Sequence, residues 1–438
     1  MPQHIKPSLR CRGGWPSAAC VALFIGAVVC GGAAAEERSV NLVSTGPNAV
    51  SFWNHVANRT LHTASTNDST PEERRPAYQL DLSTLHLAIY DAVSAIDGRY
   101  RSYAIVPRAA AAGASLDAAA GAAAYGVLHA LFPNRVASYQ ADYDSFVAAI
   151  PAGEAKSRGL ALGREVAAGI VALRADDGRS VALAPFVSAS APGHFRSANA
   201  TPLNRHLSSV RLFSLTSASQ FRPGGPPPLD SADYARDLNE TQALGGTVST
   251  ARTAVELEIA RFHSEPPSPF LTRNFGRFAS STSDVAEAAR LMAFVYVVHA
   301  DVITACFEAK YHFDAWRPQS AIPMADSDGN AATVRDAAWT PVLPTPNHPE
   351  YPAAHSCTAG GLGEALRLHL GTRKLRYTFD SQVTGTTRTY ADTDALSAES
   401  QVARIAGGMH FRFSAVDGVT LGMQVARWVA THHFGRRD

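Results

Sequence analysis

Apolar residues along this chain recur mostly at the three-and-four spacing of helices. Leu82, Leu85, Ile89, Val93 and Ile96 mark one amphipathic helix over about 81–97. Segments 116–131, 135–150 and 153–176 are Ala-rich, keep a helical period and are punctuated by Pro133, Pro151 and Gly178. The period lapses over 179–230, where Pro, Gly, Ser and Asn predominate. So long a loop in a compact domain serves as a lid, a wrap or a binding loop. Helical spacing returns at about 231–263 and 283–316. The second of these carries Leu291, Phe294, Val298, Val302 and Cys306 with apolar residues between them, the pattern of a central core helix. Its Arg290, His299 and Asp301 argue against a membrane span. A loop of Pro, Asp, Gly and Asn covers 318–352, and helices are predicted again at about 354–370 and 399–432. Alternating strand patterns are nearly absent. The expected fold is all-α, one large bundle of roughly ten helices with long loops.

The N-terminus reads differently. Lys6, Arg10 and Arg12 precede an apolar run from Ala18 to Val29, which ends in Ala33-Ala34-Ala35 before Glu36. A basic start, a short apolar centre and an Ala-x-Ala end describe a signal peptide over 1–35, with one domain over 36–438. The run is shorter than the roughly 20 residues of a bilayer span. The chain is therefore expected to be exported, periplasmic or secreted, with no transmembrane segment after signal removal. Beyond the signal only Cys306 and Cys357 remain, either a disulfide or two buried thiols. Lys and Arg number 39 against 38 Asp and Glu, so there is no basic surplus to recruit nucleic acid.

Three C-terminal segments carry candidate chemistry. In 310–318, Lys310 and Arg317 are seven residues apart, almost two helical turns, and would project from one helix face toward an oxyanion. Asp314 between them could instead neutralise both on a solvated surface. In 348–356, His348-Pro-Glu-Tyr-Pro352 leads to a helix starting near Ala353, whose first N–H groups would attract an anion. His355 would lie beside that anion and exchange protons near neutral pH, or serve only to start the helix. In 404–414, Gly408 lies four residues after Arg404 and could clear space beside it. His410 falls off that face, so a break is expected at Gly407-Gly408. Taken singly, this segment also fits close helix packing with a core histidine.

In order and spacing, the three segments follow the pattern Lys-x6-Arg-Pro, Pro-Ser-Gly-His and Ser-Arg-x3-Gly-x-His, with the departures given below. The chain thus resembles the superfamily of vanadium-dependent haloperoxidases and type 2 phosphatidic acid phosphatases, in particular its exported bacterial haloperoxidase-like branch. The resemblance extends over most of 80–435, including Leu-His-Leu-Ala-Ile-Tyr-Asp-Ala-Val at 85–93. It implies that Lys310, Arg317 and Arg404 hold the equatorial oxygens of vanadate or phosphate, helped by the backbone N–H of Ala354. It implies that His355 is the acid–base group, and that His410 bonds to vanadium or attacks phosphorus. Ala353, Ala354 and Ala403 stand where the family has Ser, Gly and Ser. Ser414 stands where it has an Asp, and the next acid is Asp417, so Ser414 is expected to orient His410 more weakly than a carboxylate would.

Two reactions suit such a pocket. One is oxidation of halide by hydrogen peroxide on one vanadate per chain, with an organic acceptor. His348, five residues before Ala353, resembles the histidine of bromoperoxidases, which implies that bromide is preferred. The other is hydrolysis of a phosphate ester through a phosphohistidine by an acid phosphatase without cofactor. A catalytically weak oxyanion-binding relative is the third expectation, because Ala353 and Ser414 remove polar groups.

Overall fold

Helices follow the apolar periods along the chain. In the computed structural model, which describes residues 38–63, 77–109 and 111–437, a short strand β1 (Val40–Asn41) precedes α1 (Ala49–Thr63). Then come α2 (Tyr78–Asp97), α3 (Leu116–Leu131), α4 (Gln140–Ala149), α5 (Glu154–Leu173), α6 (Ala232–Gly245), α7 (Ala254–Phe262), α8 (Pro267–Ala279) and α9 (Val285–Phe313). The C-terminal third holds α10 (Pro318–Ala321), α11 (Ala354–Leu370), a hairpin of β2 (Lys374–Asp380) and β3 (Thr387–Asp392), α12 (Ala395–Ala406) and α13 (Arg412–His432). β1 pairs parallel to β2, and β2 antiparallel to β3. The architecture is the expected all-α one with a small sheet added. The described residues cluster as one compact unit. The expected signal peptide at 1–35 lies outside the described residues.

α9 is the axis of the core. Among the described residues it is the one helix long and apolar enough to cross a membrane, yet nearly all of it is buried inside the protein. Asp284 caps its start, accepting from the N–H groups of Ala286 and Glu287. α2, α8, α11 and α13 pack around it. Asp301 on α9 is buried and accepts three N–H bonds from Phe213, Ser214 and Leu215 at 2.8–2.9 Å. The long 179–230 segment is therefore a wrap tied to the core helix. It also reaches the end of α9, where Phe195 N–H donates to the Asp314 carbonyl.

α11 and α13 approach closely because glycines face each other's backbone. A Cβ on Gly422 would lie 2.0 Å from the Cys357 carbonyl oxygen, and one on Gly360 2.5 Å from that of Val419. No side chain fits at either position.

The sequence periods merge or miss some elements. The 231–263 stretch is two helices, because the chain turns at Gly245-Gly246, where Gly246 is extended. The 399–432 stretch is α12 and α13, separated at the glycine pair as expected. In α1, buried Asn54, Asn58 and Thr60 interrupt the apolar stripe and hide its period. In α8 the prolines Pro267 and Pro269 read as loop, but the first turn of a helix tolerates proline. β2 does alternate, with Leu375, Tyr377 and Phe379 buried, over too few residues to stand out.

Candidate active site

Lys310 occupies the last turn of α9 and is buried. Its Nζ donates to the carbonyls of Pro349 at 3.1 Å and Glu350 at 2.9 Å. Lys310 and Arg317 do not share one helix face, contrary to the spacing argument. α9 stops at Phe313, Asp314 turns left-handed (φ 50°) and Arg317 is extended at the start of α10. Asp314 does not neutralise the pair either; it binds His194 at 3.0 Å. The kink swings Arg317 inward, where it is buried. Its Nε donates to the His348 carbonyl, and its terminal nitrogens reach the Met409 carbonyl, His348 Nδ1 and His410 Nε2 at 2.9–3.0 Å.

The 348–356 segment supplies the helix start. α11 begins at Ala354 with Ala353 as its cap residue. Ala353 N–H donates to the Ser414 carbonyl at 3.0 Å, which ties the segment to α13. The N–H groups of Ala354, His355 and Ser356 belong to the first turn and have no carbonyl within the helix. His355 Nε2 donates to the Glu265 carbonyl at 2.7 Å, leaving Nδ1 as an acceptor 3.2 Å from an Arg404 terminal nitrogen. His348 is buried against the Phe307 ring with its Nδ1 on Arg317, so it does not point to solvent as a turn cap would.

Arg404 ends α12, and the glycine pair then reverses the chain. Gly408 has φ 75°, and a Cβ there would lie 2.3 Å from the Gly245 carbonyl oxygen. This turn delivers His410 to the site. Its Nδ1 lies 2.8 Å from Glu350 Oε1 and its Nε2 lies 3.0 Å from Arg317. Ser414, expected to orient the ring, is farther away, its Oγ 3.5 Å from Nδ1. Asp417 binds Tyr351 Oη at 2.5 Å instead. Glu350 is the residue of this arrangement that the sequence reading did not single out. The available signal was a lone acid, between two prolines, in a segment read as anion-binding.

The electrostatics are strongly one-sided. Lys310, Arg317 and Arg404 are all buried, and among the described residues Glu350 is the acid bonded within the group. Burial lowers Lys310 to about 8, Arg317 to about 10 and Arg404 to about 9. Repulsion from Arg317 adds to the shifts of Lys310 and Arg404. Burial raises Glu350 to about 7, against the pull of Lys310 and Arg317. His348, His355 and His410 are held well below the ordinary imidazole range, first by burial and then by the surrounding cations. His355, expected to exchange protons near neutral pH, can do so here only with an anion beside it that offsets these cations. Buried charge without a counter-charge costs several kcal/mol, and Arg404 Nε is buried without a partner. An oxyanion fits this donor set. Among the described residues no group of three or more His, Cys, Asp or Glu is arranged to hold a metal cation. Cys306 and Cys357, next to this group, are free thiols with sulfurs 2.9 Å apart.

Residues 290–436, which contain all three motifs, match the family model described as the VCPO second helical-bundle domain. The fold is similar to that of the first bacterial vanadium-dependent iodoperoxidase, with a TM-score of 0.71 and 21% identity over 92% of this chain and 99% of that one. It is also similar to a bacterial vanadium-dependent chloroperoxidase in its holo-type structure, with a TM-score of 0.67 and 15% identity over 89% of this chain and 97% of that one. The apo-type chloroperoxidase structure matches at a TM-score of 0.64 and 15% identity, over 81% of this chain and 92% of that one. No curated protein sequence matches the chain.

Proposed function

We propose that the chain, whose fold and C-terminal bundle are similar to those of vanadium haloperoxidases, is itself a vanadate-dependent haloperoxidase. It oxidises halide, bromide in preference, with hydrogen peroxide, and passes the oxidising equivalent to an organic acceptor. The observation that carries this reading is the convergence of three buried cations on the His410 side of a helix start. Lys310, Arg317, Arg404 and the Ala354 N–H would hold the oxygens of vanadate, and His410 Nε2 would be its protein ligand. Vanadate, held by these residues, would supply Lewis-acid activation of hydrogen peroxide toward halide.

The chain's own residues do the rest. The cations neutralise the oxyanion and draw electron density from it. His355, with Nε2–H fixed on the Glu265 carbonyl, offers Nδ1 as the proton-handling atom. An anion beside it opposes the cations that depress its basicity, so it can accept a proton. His348 occupies one terminal nitrogen of Arg317 and so moderates the positive field that a halide meets. The N-terminal apolar run with its Ala-x-Ala end supports export of the chain.

The test is a bromination assay on chelator-stripped protein with peroxide, with and without orthovanadate, beside a phosphate-ester assay. Bromination that depends on vanadate is the expected result. Ester hydrolysis without bromination would make the protein a phosphatase, and vanadate binding without either turnover would make it a non-catalytic relative.

A further inference from the structure

We infer that Glu350 is the positioning residue for His410, fixing its ring so that an unprotonated Nε2 faces the cations. The inference rests on the proposed oxyanion site and deepens it. The acid that the resemblance calls for, four residues after the histidine, is Ser414 here. The carboxylate comes instead from the loop before α11, a different part of the chain. Glu350 Oε1 lies 2.8 Å from His410 Nδ1 and also accepts the Phe411 N–H at 3.0 Å, so it holds both the ring and the backbone beyond it. Glu350 is itself clamped. Its N–H donates to the Ala315 carbonyl at 2.9 Å, and its carbonyl accepts from Lys310 Nζ.

Two contacts specify one tautomer. The guanidinium of Arg317 has donors and no acceptor, so at 3.0 Å it requires a lone pair on Nε2. Glu350 Oε1 already accepts the Phe411 N–H, and as a carboxylate, its form above about pH 7, it has acceptors only, so at 2.8 Å it requires the proton on Nδ1. A serine hydroxyl can donate or accept, and so cannot make that choice. The resulting ring presents an unprotonated Nε2, the form needed by a ligand of vanadium or a nucleophile toward phosphorus. Glu350 also links this choice to Lys310, because the same residue's carbonyl receives the lysine.

The experiment uses the full chain with 15N-labelled histidine. In the wild type, His410 should show a protonated Nδ1 and an unprotonated Nε2. Glu350→Ala should lose that pattern, while Glu350→Gln, which keeps a carbonyl acceptor, should retain it. Vanadate affinity, measured by calorimetry, should fall about 10- to 100-fold in Glu350→Ala, the range for removing a partner of a metal-bound histidine. The double variant Glu350→Ala/Ser414→Asp should regain the ring signature and most of the affinity. An unchanged His410 signature in Glu350→Ala would overturn the inference. If Glu350→Ala does not fold, the double variant decides: wild-type tautomer supports the inference, and any other result rejects it. Wild-type protein that shows the tautomer but binds neither vanadate nor phosphate would defeat the proposed function and leave the role of Glu350 intact.

Discussion

One guanidinium nitrogen of Arg317 lies 2.9 Å from the Met409 carbonyl oxygen and 3.0 Å from His410 Nε2. The cation thereby sits against Nε2, the ring atom proposed to meet the oxyanion. It is also held by the peptide that precedes that histidine. Ring, cation and turn form one unit, and a shift in any of them moves the others.

Arg404 and Arg412 offer a clean comparison within one motif. Arg404 is buried beside His355, whereas Arg412 forms a half-exposed pair with Glu240. Arg404→Ala should weaken vanadate and phosphate binding by ~1.5–3 kcal/mol, the value of a charge-assisted hydrogen bond. Arg412→Ala should change it little. Calorimetric titration of both folded variants checks this, and an equal loss at Arg412 would reject the assignment of Arg404.

His348→Phe should raise the ratio of chlorination to bromination. The substitution removes the acceptor on Arg317 and frees that donor for the anion, leaving a drier and more electropositive pocket. Because burial, Arg317 and Lys310 keep His348 neutral, the wild-type halide ratio should stay flat between pH 5 and 8. Halogenation of a phenol indicator across that range, in both proteins, measures both effects.

Gly408→Ala should destabilise the protein by about 1–3 kcal/mol, the cost of a non-glycine residue in a sparsely populated backbone region. Its Cβ would also meet the Gly245 carbonyl. Since the turn sets His410, vanadate affinity should fall even where the variant remains folded. Urea denaturation and vanadate titration at the same temperature test the two parts separately.

Stability should fall on mild acidification. Burial lowers both His86 and His299 to about 3. Both are neutral in the fold, and their unfolded counterparts gain a proton below about 6.5. The unfolded state therefore binds more protons between these values, and stability declines as pH drops through that window. Each histidine contributes a slope of up to about 1.4 kcal/mol per pH unit. Urea midpoints at pH 7, 6 and 5 should show the decline, and His299→Gln should flatten it by roughly one such slope.

The sequence made the helices legible where one apolar stripe ran unbroken, as in α2, α9 and α11. It also revealed the break at Gly407-Gly408, because His410 could not share a face with Arg404. α1 was hidden by the buried polar groups Asn54, Asn58 and Thr60, which cross-helix hydrogen bonds make tolerable in the core: Asn54 accepts from Tyr296 Oη and pairs with His86 Nε2. The three motifs gave the cations and histidines. They could not give Glu350 its role, since its contact with His410 spans 60 residues and depends on a loop without period. The single-face argument for Lys310 and Arg317 failed because it assumed a helix that Asp314 ends.

The burial of α9 has a consequence for how this protein can diverge. Lys310 sits at the end of a rod whose other turns are packed on nearly every side. Sliding that rod by one residue would carry the lysine about 1.5 Å along the axis and turn it through roughly a quarter of a circle. Substitutions far up the helix, at Leu291 or Phe294, are thus read out at the anion. Drift in this helix should proceed by volume-matched exchanges, and insertions or deletions should collect in the 179–230 wrap and the surface turns, where chain length can change without moving the lysine.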